Sequence, residues 1–228
     1  ISGGCAATVA YLDGSDWGTT NTGVSVDANG FLSGSKFMVP DAAQATWIAV
    51  VGSDAAGDAV VALVAGRDVA AQAQASHALI DLTKRASTLD FTGVKAQRVL
   101  SGDKVASAIR DYLLIGALLT AAEAVGSTSA CLAGIVDYLK TRKQFGKLIG
   151  SFQALKHPTV DIYVGMEHSR SLVYHASSEI DDGPLSAEAE VACRMAKAKA
   201  SDTIQYAGDR SVHFHGGYGF TWEGDSSL

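Results

Sequence analysis

The chain has 228 residues, 47% of them hydrophobic and 18% charged, which is ordinary globular composition and enough chain for one large domain or two small ones. Its 18 Lys and Arg against 24 Asp and Glu give a formal charge of −6 and a pI near 5.4. That balance offers no general attraction to phosphate backbones or anionic lipid, so nucleic acid and membrane surfaces are set aside as partners.

Ile1-Ser-Gly-Gly-Cys5 has no basic region leading into an apolar run and no initiator Met, so the chain is expected to begin inside a longer protein. From Ile1 to about Gly102, short apolar runs rich in Val and Thr alternate with turn signals. ATVAYL, GVSVDANGFLSGSKFMV, TWIAVVGSDAAGDAVVALVAG and STLDFTGVKAQRVL hold strand candidates of about four to eight residues. Asn29-Gly30 predicts a tight two-residue hairpin connection, because this pair accepts positive φ. The expectation for this half is an antiparallel barrel or sandwich. Three cysteines, Cys5, Cys131 and Cys193, stand far apart without a CxxC pair, which signals neither a disulfide framework nor a zinc site. They are expected to be buried, inert thiols in a reducing compartment.

Beyond Ser107 the apolar period becomes helical. Ser107 to Thr141 carries Leu, Ile, Ala and Val at three- and four-residue spacings. Its most apolar stretch, Tyr112 to Val136, is broken by Glu123 and by Gly, Ser and Thr, which predicts a buried helix rather than a membrane span. A second helix is expected from an N-cap at Ser151 to near Asp181-Asp182-Gly183-Pro184, with Pro158 kinking it or delaying its start. A third, Ser186 to about Val212, has Ser186 as cap and Glu188 and Glu190 in its first turns, where the helix dipole favours acids. Short loops between long helices predict an antiparallel bundle.

Two polar clusters interrupt this pattern. TRKQFGKLIGSFQALKH, residues 141–157, reads either as a helix end, with Arg142 and Lys143 meeting the dipole and Gly146 as a left-handed cap, or as a pyrophosphate site. In the second case Arg142 supplies planar paired donors and Gln144 and Gln153 neutral ones. VHFHGGYGFTWE, residues 212–223, reads either as a Gly-Gly helix terminus or as backbone that approaches a ligand closely. His213 and His215 alone make a poor metal site, since no Asp, Glu or Cys stands at ligand spacing.

Taken together, DYLKTRKQFGKLIGSFQALKH and, about sixty residues later, HGGYGFTWE resemble the carboxy-terminal helical domain of the acyl-CoA dehydrogenase family. GFLSGSKFMVPDAAQATWIAVVG resembles that family's middle β domain and STLDFTGVKAQRVLSGD its exit. The resemblance implies an α+β chain with a partial middle β domain over 1–104 and a partial four-helix-bundle domain over 105–228. It also implies FAD at a subunit interface, an acyl-CoA substrate, electron-transfer flavoprotein as acceptor, and a homo- or hetero-oligomer, dimer or tetramer. The reaction it implies is removal of a proton from the α carbon and a hydride from the β carbon of the thioester, in cytoplasm or an organelle matrix. Carried over residue by residue, Arg142 would meet the FAD pyrophosphate of the adjacent subunit. Gln144 and Phe145 would lie at that interface, Gln153 at the adenosine end, and Gly216 and Gly217 beside the cofactor. His213 stands where many members carry Gln.

Departures from the family pattern are specific. The TEPGAGSD segment and the amino-terminal helical domain are not seen, and Met38 and Pro40 stand where many members place Trp and Thr. One of the family's two positions for the catalytic Glu falls in a YEGT segment not present here; the other aligns with Gly116. Glu123, seven residues on and nearly on the same helical face, is the carboxylate that remains, with a raised pKa expected if buried; Asp111 is expected to be exposed. The alternative is a non-catalytic partner subunit that completes a neighbour's FAD site in a mixed tetramer, and an oxidase-like relative on the same fold is a third reading.

Overall fold

The computed structural model describes residues 4–15, 23–69, 74–221 and 223–224. It divides into two compact units, Ile1–Ala108 and Ile109–Leu228, so the division falls a few residues inside the first long helix.

The first unit holds two sheets. One has six strands: β1 (Ala7–Ala10), β2 (Ser25–Val26), β3 (Leu32–Ser33), then, past β4 (Ser35–Pro40) of the second sheet, β5 (Trp47–Ser53), β6 (Ala59–Ala65) and β9 (Arg98–Leu100). β4 pairs with β8 (Ala86–Asp90), which pairs with β7 (Gln74–Ser76). β5 and β6 run antiparallel over their whole length, from Trp47 opposite Ala65 to Ser53 opposite Ala59. Alternate residues Ile48, Val50, Val60, Ala62 and Val64 face inward, the period of two that a half-buried strand requires. They join Val39, Leu89 and Phe91 in one core shared by both sheets.

The expectation of a purely antiparallel domain needs correction: β1 and β2 both run parallel to β5. Because β6 takes one edge of β5, β1 takes the other along Trp47–Val50, and β2 meets it at Ser53. The sheets face one another without closing into a barrel. The Asn29-Gly30 turn also differs from the two-residue form. Gly30 is the residue at positive φ (81°), the Gly30 amide donates to the Asp27 carbonyl and the Asp27 amide to the Phe31 carbonyl, giving a three-residue bulged loop. The Asp27 carboxylate fixes it by accepting from the amides of Asn29 and Phe31. β7 was invisible to strand propensity, because Gln-Ala-Ser carries no β-branched or aromatic side chain.

The second unit is helical. α1 (Asp103–Thr141), α2 (Gln153–Ser178) and α3 (Ala187–His215) follow the expected periods. One apolar cluster joins Leu114 and Leu118 to Val173, Ala176 and Ala189–Ala200; another joins Ile135 and Leu139 to Ile162, Ala207 and Phe214. The chain thus visits the two clusters in opposite order along α2, which makes the three helices run up, down and up. Ser186 caps α3 by accepting from the Ala189 amide at 3.0 Å, and Glu188 and Glu190 occupy its first turn, as expected.

Other local expectations fail. Ser151 does not cap α2. Its hydroxyl donates to the Leu148 carbonyl inside a 3-10 turn, and Phe152 takes the N-cap position without a side-chain bond. Pro158 sits in the second turn of a helix that starts at Gln153, where a missing amide costs one ladder bond. Asp111 is mostly buried: it accepts from the Arg110 guanidinium (2.9 and 2.7 Å) and the Leu185 amide (3.1 Å), tying α1 to the entry of α3. Cys5 is exposed and Cys131 half-buried, so of the three thiols only Cys193 lies inside a core.

α1 is long and apolar enough to cross a membrane by length and composition, and 22% of its most apolar window is buried in this chain. The expectation of a buried helix is corrected: Tyr112, Leu113, Ile115 and Leu119 are exposed. Its two apolar clusters use one stripe of the helix, and the remaining faces stay uncovered within one copy.

Candidate functional site

The two polar clusters found in the sequence meet at one end of the helical unit. α1 stops at Thr141, and the Arg142 amide still donates to the Tyr138 carbonyl (2.9 Å). The chain then makes a small hairpin, β10 (Lys143–Gln144) with β11 (Lys147–Leu148), closed by the Ile149 amide donating to the Arg142 carbonyl at 3.0 Å. Phe145 and Gly146 form its turn with φ of 54° and 77°. Two successive positive φ values define the turn that matches strand twist in a two-residue hairpin. Gly146 is therefore left-handed as expected, but as a hairpin corner and not as a cap of α1.

Returning from the hairpin, the chain packs hard on α1. A side chain at Gly150 would bring its Cβ within 2.7 Å of the Leu139 carbonyl oxygen. Ile149 and Phe152 complete an apolar base with Leu139, Ile162 and Phe214. On this base Arg142, Gln144 and Phe145 are exposed, Phe145 at 88%. The Phe145 ring meets Phe152 edge-on at 6.1 Å, and the Lys147 ammonium lies 5.5 Å from the Phe152 centroid. Gln153, the first residue of α2, is also exposed. None of the Arg142, Gln144 and Gln153 side chains is engaged in a hydrogen bond or ion pair among the described residues.

The second cluster ends α3. Gly216 adopts φ 62° and ψ −137°, a combination that excludes side-chain-bearing residues. A 3-10 turn, Gly216–Phe220, follows, and neither Gly216 nor Gly217 has an atom within 4 Å of where a Cβ would stand. His213 is exposed and sits 5.9 Å from the Phe214 ring. Trp222, also in this motif, lies outside the described residues. His215 packs on Tyr138 with ring centroids 4.3 Å apart and an interplanar angle of 34°. Neither Tyr138 nor His215 carried a cofactor assignment from sequence; the available signal was an aromatic residue one helical turn before Arg142 and another beside Gly216.

Glu123 is exposed on α1, which corrects the picture of an acid enclosed in apolar surroundings. Gly116 is half-buried with open space where a side chain would begin. Among the described residues no three His, Cys, Asp or Glu side chains gather as a metal site.

A guanidinium, two amides, a projecting aromatic ring and an open Gly-Gly backbone form a donor set suited to an anionic dinucleotide. The family model described as acyl-CoA dehydrogenase, C-terminal domain, matches residues 106–227. The chain belongs to the acyl-CoA dehydrogenase family. Acyl-CoA dehydrogenase IpdE2 of Mycolicibacterium smegmatis is 38% identical over 112 residues, 49% of this chain and 33% of that protein. The solved glutaryl-coenzyme A dehydrogenase in complex with glutaryl-CoA superposes with a TM-score of 0.85 at 25% identity, over 96% of this chain and 58% of that one. The Tcur3481-Tcur3483 steroid ACAD gives 0.79 at 27% identity, over 96% and 59%. The chain spans about a third of the length of the curated relative and somewhat over half of the solved chains.

Proposed function

We propose that this protein takes part in flavin-dependent α,β-dehydrogenation of an acyl-CoA thioester, and that its hairpin and Gly-Gly turn hold FAD shared with an adjacent subunit. The observation that carries this reading is the packing of Tyr138, whose carbonyl accepts from the Arg142 amide, on His215, the residue before Gly216-Gly217, at one end of the helical unit. Arg142 binds the pyrophosphate through paired N–H donors, Gln144 and Gln153 add neutral hydrogen bonds, and Phe145 covers apolar surface. Gly216 and Gly217 let backbone amides approach where a Cβ would obstruct, and His213 supplies the hydrogen bonding that Gln gives in many relatives. FAD, when bound, supplies the two-electron acceptor for a hydride leaving the β carbon. The exposed apolar faces of α1 suit a dimer or tetramer, with electron-transfer flavoprotein as the acceptor that reoxidises it. Free thiols fit a reducing cytoplasm or organelle matrix.

Glu123 is proposed as the base that takes the α proton, since it is the carboxylate two turns from Gly116 on nearly the same face of α1. A second reading is favoured by Gly116 itself. With no acid at that position, the chain serves as the partner subunit of a mixed assembly, completing a neighbour's FAD site. The solved Tcur3481-Tcur3483 relative, named for two chains, is compatible with such an arrangement.

Purified protein should show flavin absorbance that bleaches on addition of acyl-CoA. Absence of flavin after reconstitution, alone and with a co-expressed homologue, would sink the proposal. Flavin bound but bleached only when the homologue is present selects the partner-subunit reading. Arg142→Ala should lower flavin content while leaving the helical signal intact.

A further inference from the structure

We infer that Tyr138 and His215 act as a strut that sets the position of the Arg142 hairpin against the Gly216-Gly217 turn, making both positioning residues for the cofactor. The inference rests on the FAD reading above. The two halves of that site come from segments about seventy residues apart, and each half hangs from one member of this ring pair. On one side, the Tyr138 carbonyl accepts from the Arg142 amide at 2.9 Å, so the first residue of the hairpin is bonded to the turn of helix that carries the Tyr138 ring. On the other, His215 is the last residue of α3 and is bonded covalently to Gly216.

The His215 ring is itself held. Its Nδ1 lies 2.8 Å from the Ser211 carbonyl oxygen. A carbonyl only accepts, so Nδ1 carries a proton and donates, which fixes both the tautomer and the ring plane. The Tyr138 ring packs on one side at 4.3 Å, and Tyr218 from the 3-10 turn stands 6.4 Å away. Tyr218 in turn donates its hydroxyl to the Glu223 carbonyl at 2.5 Å, anchoring the segment beyond the glycines. A chain of rings thus runs from the base of the hairpin to the far end of the Gly-Gly turn.

Ile149 and Phe152 hold the returning side on α1, and the strut serves the outgoing side of the hairpin. The hairpin is a two-stranded ribbon with two paired residues a side, a size that is not stable by itself in water. The apolar base beneath it, Leu139, Ile149, Phe152 and Phe214, keeps the helices together. Tyr138 also packs against this base, so thermal melting is read beside FAD affinity to separate loss of the site's geometry from loss of the bundle.

The test uses the purified protein stripped of flavin and the variants Tyr138→Ala, Tyr138→Phe, His215→Ala and the double alanine variant. FAD affinity is read by flavin fluorescence, and folding by thermal melting of the apoprotein. An offset ring pair is worth enough to weaken FAD binding about 3- to 10-fold in either alanine variant. Tyr138→Phe keeps the ring and should bind FAD as the unaltered protein does. The double variant should be no weaker than either single one, because each alone removes the same contact. Tyr138→Ala binding FAD as tightly as the unaltered protein overturns the strut, and so do fully additive losses. If the unaltered protein binds no FAD, the cofactor reading fails and the strut is decided by amide exchange. His215→Ala must then speed exchange of the Ile149 amide, which closes the hairpin, and unchanged exchange there refutes the coupling.

Discussion

Gly165 of α2 packs directly against Thr203 of α3: a Cβ at Gly165 would stand 3.0 Å from Thr203 Cγ2. Ser169 donates to the Gly165 carbonyl at 2.8 Å and lies 3.2 Å from Thr203 Oγ1, so the contact is small and internally hydrogen-bonded. Gly165→Leu should therefore push the helices apart and cost about 1–3 kcal/mol, the usual range for overpacking. Urea unfolding followed by helical circular dichroism checks it; an unchanged midpoint would mean the helices have slack there.

In the β unit, Lys36 is fully buried, with its ammonium donating to the Tyr11 carbonyl (2.9 Å) and the Asp13 carboxylate (2.5 Å). Burial lowers its pKa from 10.5, and Asp13 only partly offsets this. Below the folded pKa both states are protonated and stability is flat. Between that value and 10.5 the unfolded chain holds more protons, so stability rises with pH. Lys36→Met should abolish that alkaline rise and, by leaving a partly buried Asp13 without its cation, cost about 2 kcal/mol at neutral pH. Denaturant midpoints from pH 7 to 10 on both proteins read the two effects together.

Asp111 gives a slope of the same sign in the acid range. Burial raises its pKa, but donation from Arg110 and from the Leu185 amide outweighs this and leaves it below 3.8. Its contribution is whole above 3.8 and disappears as pH falls through the lower, folded value. Asp111→Asn is expected to destabilise the helical unit by about 1 kcal/mol at pH 7. The gap between variant and unaltered protein should close in acid; a gap independent of pH would place the effect elsewhere.

Phe145 occupies a left-handed turn position, φ 54°, that suits Asn better than an aromatic residue. Phe145→Asn followed by Gly146 makes a preferred hairpin turn and should stabilise the hairpin by up to about 1 kcal/mol. If the Phe145 ring packs on FAD, the same change lowers flavin retention despite the better turn. Flavin-to-protein ratio after gel filtration, set beside hairpin amide exchange, separates these two consequences.

The periodic parts of this molecule were legible in its sequence. Helix period placed α1, α2 and α3, and Ser186 announced its own cap because the hydroxyl acts on the third residue ahead. Turn residues marked most strands. What could not be read were relationships set by distant neighbours. Burial of Asp111 depends on Leu185, and the parallel partner of β1 depends on which edge of β5 stays open. For the site, Arg142 and Gly216 were visible as chemistry, whereas Tyr138 and His215 look like ordinary helix residues until the fold stacks them.

The parallel pairing of β1 with β5 also bears on the order in which the chain assembles. β5 and β6 join across a short turn fixed by Asp54, whose carboxylate accepts from the Ala56 and Asp58 amides, so they can pair as soon as both exist. Ala7 must find Trp47, forty residues away, and nothing local guides it there. Closing so long a loop is entropically costly and delivers its reward late. The pairing of β1 with β5 is thus expected to form after the β5–β6 hairpin, whose partners are close in sequence.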